Sequence, residues 1–431
     1  MIALNPLAIE LNEKIQSVNP VVFDLLSSLG QRSYVSSGIL SQSMEANLKA
    51  YRLNATRAAA LENDSAMYLE SSRGFAPEFA PNMIYSYAPA LGQIELRKQW
   101  KIQMIAENPT LEGKSFGTPI VTSGMTHGFS LIGDLFVDEG DVLVLPDKIW
   151  GNYQSIFGRK HGAEIVTYPF FNSQSRLNTH GFSECLIQAG ERHQKLIVIL
   201  NFPHNPTGYA INAEEARQTT QAIKRAAEGG SQLLVIVDDA YFGLWYDGDV
   251  LHESIFGWLT NLHPNIIPVK IDGATKQEYA WGLRVGFLTF GLDEEEMKPL
   301  EEKMIALIRV STSGAAQLSQ TMVYQAMGTP EYKSEKQQKY EILKARALKV
   351  REVVYAPSYT ELWEAYPFQA GYFMCIRLKQ GNAEVVRQHL LDEYGIGIVS
   401  LGDNDLRIAY SCVEESEIQS LFDTIAEAIR A

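Results

Sequence analysis

From about residue 118 the chain alternates short apolar, largely β-branched runs with stretches of helical length. The runs occupy residues 119–122, 142–145, 164–167, 196–200, 233–237, 266–270 and 286–290. Most are apolar throughout rather than alternating with polar residues. That is the pattern of strands buried on both faces, which belong to a largely parallel sheet covered by helices. An α/β domain is therefore predicted for the centre. In that architecture ligands lie beyond the C-terminal ends of the strands, so the polar residues that follow each run are the candidates for chemistry.

The flanks read differently. The first 60 or so residues look helical and mix polar with apolar positions, with a Ser-rich interruption at 36–43. After a long charged helical region near 328–355, the pattern gives a strand at 371–378, a helix at 383–394, short strands at 397–401 and 406–410, and a last helix at 414–429. This is a separate small α+β unit, and its strands are expected to pair with the N-terminal segment. At 431 residues the chain exceeds the size at which one hydrophobic core stops growing, so a large and a small domain are expected. No repeat or low-complexity tract interrupts this plan.

Composition narrows the function classes. Hydrophobic residues make up 46% and charged residues 20% of the chain, an ordinary globular balance. A net charge of −14 repels a phosphate backbone, and no Lys/Arg run is long enough to form a basic patch, so nucleic acid is not an expected partner. Cys185, Cys375 and Cys412 lie far apart without a CxxC pair, which argues against a disulfide framework and a zinc knuckle. The opening MIALNPLAIELNEKIQ lacks the charged-then-apolar order of a secretory signal. No apolar run approaches the roughly 18 residues that span a bilayer. A cytoplasmic protein with no membrane contact is expected.

The polar residues after the runs are unusual. Asn201-Phe-Pro-His-Asn205-Pro-Thr-Gly208 follows one, Asp238-Asp239-Ala240-Tyr241 follows the next, and Asp272-Gly273-Ala-Thr-Lys276 follows the one after, with Arg284 eight residues beyond the lysine. A lone Asn-Pro-Thr-Gly is ordinary turn chemistry. The ordered set is not. Over roughly residues 80–410 it resembles the class I/II aminotransferases, pyridoxal-phosphate enzymes of fold type I such as aspartate aminotransferase.

The resemblance implies a mostly parallel central sheet flanked by helices plus a small α+β domain. Residues 1–75 then form an N-terminal arm and part of the small domain, 76–330 a large pyridoxal 5'-phosphate-binding domain, and 331–431 the C-terminal small domain. Lys276 matches the lysine that carries the cofactor as a Schiff base and then moves protons. An amine condenses with an aldehyde only when unprotonated, so its surroundings must lower its pKa. Asp238 matches the carboxylate that keeps the cofactor ring nitrogen protonated. Its neighbour Asp239 is the rival, and only the spacing to Ala240-Tyr241 selects between them. Asn205 and Tyr241 match the pair at the phenolic oxygen.

Gly124, Met125 and Thr126 stand at a strand–turn–helix junction, where free backbone N–H groups bind phosphate, and Arg284 matches the cation that completes that site. Gly273 departs from the family, since many relatives carry a hydroxyl there, so one phosphate contact is expected to be missing. Trp150 matches an aromatic platform for the cofactor. Tyr87 resembles the tyrosine that reaches the neighbouring subunit, which implies a homodimer with shared active sites. His127 and His204 read as loop neighbours of the cofactor, and no metal-ligand spacing occurs among the eight histidines.

Substrate recognition is implied at Arg407, which matches the arginine that grips the α-carboxylate together with Asn205; Arg377 is a rival without the motif. Arg309, 25 residues past Arg284, lies where dicarboxylate-specific relatives read a distal carboxylate. Its alternative is an ordinary helix-surface arginine paired with Glu301 or Glu302. The expected activity is transfer of an amino group between an amino acid, such as aspartate or another dicarboxylic or aromatic one, and a 2-oxo acid. A lyase or cyclopropane-forming synthase acting on a substituted amino acid is the alternative with the same cofactor parts. A non-catalytic regulator would need a DNA-binding module, and Met1–Asn54 is too short and too poor in Lys/Arg to supply one.

Overall fold

In the computed structural model, residues 4–18, 23, 26, 28, 31, 38–57, 59–63, 65–73 and 79–431 are described. A seven-stranded sheet forms the centre. Its strands are β1 (Ile120–Ser123), β2 (Val142–Pro146), β3 (Glu164–Tyr168), β4 (Lys195–Asn201), β5 (Gln232–Asp238), β6 (Ile266–Gly273) and β7 (Val285–Phe290). They lie in the order β1-β7-β6-β5-β4-β2-β3. All but β7 run parallel, and β7 is antiparallel to both of its neighbours. Each predicted run falls within a residue or so of its strand, apart from β6, which runs three residues further. The interiors of β2, β4, β5 and β7 are buried at almost every position, as unbroken apolar runs require.

The small domain is an antiparallel sheet of β8 (Trp363–Ala365), β9 (Phe373–Leu378), β10 (Val399–Leu401) and β11 (Asp405–Ala409), in the order β8-β9-β11-β10. Helices Ala383–Tyr394 and Ile418–Arg430 cover it. The early segment joins this unit: Leu53–Asn54 pairs in parallel with Ile396–Gly397, and helix Ile39–Lys49 packs beside it. Helix Tyr332–Val354 supplies the long charged stretch expected from the sequence.

Three readings change. The Ser-rich stretch does not break the chain at Ser41 and Ser43, which lie inside helix Ile39–Lys49; residues 36 and 37 lie outside the described residues. Ser41 is at the third helical position, where its hydroxyl accepts the Gly38 N–H at 2.9 Å, so the serine closes the helix start instead of interrupting it. Residues 415–417 form a separate 3₁₀ turn, so the last helix begins at Ile418. Strand β8 carried no sequence signal because three residues are too few to establish alternation. Among the described residues, no helix is long and apolar enough to cross a membrane.

Candidate active site

The C-terminal ends of β4, β5 and β6 meet where the polar tails predicted they would. Asn201 ends β4 and lies in register with Asp238 at the end of β5. Its amide donates to the Asp238 carbonyl at 2.9 Å and its side-chain oxygen accepts the Asn205 N–H at 2.8 Å. The Asn-Pro-Thr-Gly loop is thereby tied to the neighbouring strand end.

Asp238 and Asp239 part company at this edge. Asp238 is buried; its Oδ1 accepts the Ala240 N–H at 3.0 Å and its Oδ2 accepts the Tyr153 hydroxyl. Burial pushes its pKa up to about 6, against the opposing pull of the Tyr153 hydrogen bond and of Lys276. Asp239 instead faces Lys270 at 2.8 Å and the Ser254 hydroxyl at 2.5 Å. Asp238 is the last residue of β5 and Asp239 the first beyond it, and the two carboxylates take separate partners.

Lys276 follows β6 on the short helix Ala274–Gln277, partly buried, with its ammonium 5.3 Å from the centre of the Tyr241 ring. Loss of solvation pushes its pKa down to about 8, with Asp238 opposing the fall and Arg284 adding to it. Tyr241 is buried against Tyr372 and Phe373, with ring centres 5.2 and 5.6 Å away. The Tyr372 hydroxyl donates to the Lys276 carbonyl at 3.4 Å.

The junction after β1 turns on Gly124, at φ +79°, which opens helix Met125–Phe136. A Cβ on Gly124 would lie 2.4 Å from an Arg284 guanidinium nitrogen, so that cation sits directly against the helix start. The Gly124 N–H turns back to the Thr122 carbonyl at 2.8 Å and does not face outward. Met125 and Thr126, the first two helical residues, have no carbonyl a turn earlier to bond. Ser123 N–H bonds His127 Nδ1 at 3.1 Å. Gly273 has its reason here: a Cβ would fall 2.7 Å from the Val285 carbonyl and 2.8 Å from the Cα of Gly286, so no hydroxyl-bearing side chain fits.

Arg407, on β11, is buried with no carboxylate partner among the described residues. It donates to the Asn205 side-chain oxygen at 3.2 Å and the Thr56 carbonyl at 3.0 Å, lies over the Phe373 ring at 4.1 Å, and its Nε has no partner. Arg407, Asn205 and Thr56 line a cavity of about 1130 Å³ between the two domains, together with Trp150. Trp150 packs edge-on against Tyr153, ring centres 5.4 Å apart, and so joins this cavity to Asp238. The rival Arg377 is half-exposed and lies 3.5 Å from Asp405.

Two predicted residues lie away from this cluster. Tyr87 is 98% exposed. Arg309 is exposed in the last turn of helix Glu294–Ser311, and Glu301 pairs with Arg97 at 2.7 Å, not with Arg309. Sequence reasoning passed over Tyr153 and Thr56. Tyr153 stood in view, three residues after Trp150 in the same stretch; Thr56 acts through its backbone carbonyl, which no side-chain motif reveals.

A cofactor with a phosphate, a protonated ring nitrogen and an aldehyde fits these residues: free N–H groups with Arg284 at a helix start, a buried carboxylate, and a lysine of lowered pKa. Residues 51–425 match the family model for aminotransferase class I and II. Among curated relatives, a probable N-acetyl-LL-diaminopimelate aminotransferase of Bacillus subtilis is 23% identical over 57% of this chain and 56% of its own length. An aspartate aminotransferase of Geobacillus stearothermophilus is 26% identical over 49% of each chain. The chain thus spans about half the length of these relatives. Among solved structures, an aminotransferase from Anaerococcus prevotii superposes with a TM-score of 0.83 at 23% identity, over 94% of this chain and 100% of that one. A Thermus thermophilus aspartate aminotransferase mutant gives 0.70 at 18% identity, over 90% and 99%.

Proposed function

Because the chain belongs to the class I and II aminotransferases, we propose that it moves an amino group between an amino acid and a 2-oxo acid, with pyridoxal 5'-phosphate attached at Lys276. The observation that carries this reading is Arg407: a buried guanidinium without a carboxylate, beside Asn205 on the wall of the interdomain cavity. A planar cation left short of an anion is suited to a substrate α-carboxylate.

The cofactor, when bound, supplies the electron sink that makes the substrate α-proton acidic. Lys276 attaches it and then carries the proton from the substrate α-carbon, a task suited to an amine whose pKa is about 8. Asp238 holds a proton on the ring nitrogen, and Tyr153 and the Ala240 N–H fix the carboxylate for that role. Met125, Thr126 and Arg284 take the phosphate, Asn205 and Tyr241 the phenolic oxygen, and Trp150 the ring face. Tyr87, exposed on one copy, reaches the active site of a second copy in a homodimer. Three free cysteines suit a cytoplasmic setting.

The amino acid is aspartate or another dicarboxylic or aromatic one, and Arg309, which lies away from the interdomain cavity, is proposed only as the reader of a distal carboxylate. Two experiments test these claims. Purified protein loaded with the cofactor is mixed with single amino acids and its absorbance followed; a shift from the aldehyde to the amine form is expected. Ammonia and pyruvate released without that shift identify a lyase, and no shift with any amino acid ends the reading. For Arg309, kcat/KM for aspartate relative to an aromatic amino acid is expected to fall about tenfold or more in Arg309→Ala. An unchanged ratio removes it from recognition.

A further inference from the structure

Lys148 and Asp405 face each other across the two domains at 2.6 Å, with side chains only 14% and 12% exposed. Lys148 lies in the segment after β2, two residues before Trp150. Asp405 begins β11, two residues before Arg407. Residues two apart on a strand share a face, about 7 Å from one another. The ion pair therefore stands on the same side of β11 as the arginine that faces the cavity.

The surroundings make this more than a lone bridge. Asp405 takes Lys148 on Oδ2, and on Oδ1 the Tyr366 hydroxyl at 2.9 Å and Arg377 at 3.5 Å. Lys148 also lies over the Tyr366 ring at 4.8 Å, and Tyr366 stacks on Phe171 of the large domain, ring centres 5.2 Å apart. The Lys148 carbonyl is 3.0 Å from His204 Nε2. His204 precedes Asn205 and stacks on Phe170 at 3.9 Å. Each of Trp150, Asn205 and Arg407 is thus one or two residues from a member of one connected network. Three cavity residues that arise on separate segments share a single brace.

We infer that the Lys148–Asp405 pair is a positioning device that fixes Arg407 against Asn205 and Trp150, so that the substrate carboxylate meets its arginine at the right distance from the cofactor. The inference rests on Arg407 being the carboxylate site. Neither member touches substrate. Their effect is on geometry, and misplacement by about 1 Å is enough to cost up to a hundredfold in reaction efficiency.

The test uses the cofactor-loaded enzyme with Lys148→Met, Lys148→Arg, Asp405→Asn and Arg407→Gln. Lys339→Met, which breaks the remote bridge from Lys339 to Glu62, serves as control. In Lys148→Met and Asp405→Asn, KM for both amino acid and 2-oxo acid is expected to rise about tenfold or more, with kcat and cofactor affinity changing far less. Lys148→Arg keeps a cation of similar reach and restores KM, and Lys339→Met leaves it alone. Should Lys148→Met fail to fold, Asp405→Asn, which keeps an acceptor for Tyr366, still decides the matter. A fall in thermal midpoint with unchanged KM in the brace variants overturns the inference. If KM also stays unchanged in Arg407→Gln, the carboxylate assignment itself falls; if it rises there and not in the brace variants, only the positioning role does.

Discussion

Two lysines six residues apart, Lys270 buried on β6 and Lys276 partly buried just beyond it, differ in direction. Burial alone would push Lys270 down, but Asp239 and Asp272 together hold it above its ordinary value, at 2.8 and 2.6 Å. Trp100 Nε1 donates to Asp272 at 3.1 Å and Ser254 to Asp239, so most of this cluster is satisfied. Lys276 has no such contact among the described residues and is pushed down to about 8. The carboxylates divide the same way, Asp239 paired with Lys270 and Asp238 left with neutral donors, the Tyr153 hydroxyl and the Ala240 N–H. Charges given partners hold the strands together; charges denied them are kept reactive.

The sharpest way to break the contrast is to remove each lysine. Lys276→Ala is expected to lose more than about a thousandfold in turnover with little change in unfolding. Lys270→Met leaves two carboxylates uncompensated and is expected to cost about 3–5 kcal/mol in urea unfolding. Equal loss of stability in both would erase the distinction.

The aspartates give the next largest effect. The pKa of Asp238 is raised from 3.8 to about 6, so its ionised form costs folding stability above about pH 6, and the cost fades as pH falls towards 4. Asp238→Asn should stabilise the cofactor-free protein at pH 8 by on the order of 2–3 kcal/mol while abolishing activity. Burial raises the Asp239 pKa as well, but Asp239→Asn takes a charged partner from the buried Lys270 and should destabilise the protein by that lost pairing. Melting curves of both at pH 8 and pH 4.5 check the sign.

Gly273→Ser should cost about 1–3 kcal/mol and bring no tighter phosphate binding, because the added atoms meet the β7 backbone. Titration calorimetry with the cofactor distinguishes this from restoration of a lost contact. The mildest test is pH. The rate at which cofactor-free protein captures the aldehyde should rise about tenfold between pH 7 and 9, following the free amine of a lysine near 8. A midpoint near 10 would return Lys276 to an ordinary lysine.

Most central strands were legible because they are apolar runs buried on both faces, the half-exposed edge strand β3 being the exception, and the strand-end tails followed from them. The preference for Asp238 over Asp239 rested only on the position of Tyr241, and the structure gives the two carboxylates different partners. What escaped was whatever depends on distant segments: Tyr153 reaching Asp238, or the Thr56 carbonyl meeting Arg407 across most of the chain. Gly273 was visible as a departure, yet the crowding by Gly286 that requires glycine exists only once β7 lies beside β6. The serines of helix Ile39–Lys49 misled because a hydroxyl serves equally to interrupt a helix and to cap one.

The parallel pairing of Leu53–Asn54 with Ile396–Gly397 also has a consequence in time. A ribosome adds about 5–20 residues per second, so the early segment waits tens of seconds for its partner to be made. The seven-stranded sheet, complete by residue 290, can form meanwhile. Lys276 and Asp238 are then in place before Arg407 exists, so on the proposed reading the residues for the cofactor would be assembled before the arginine for the substrate carboxylate.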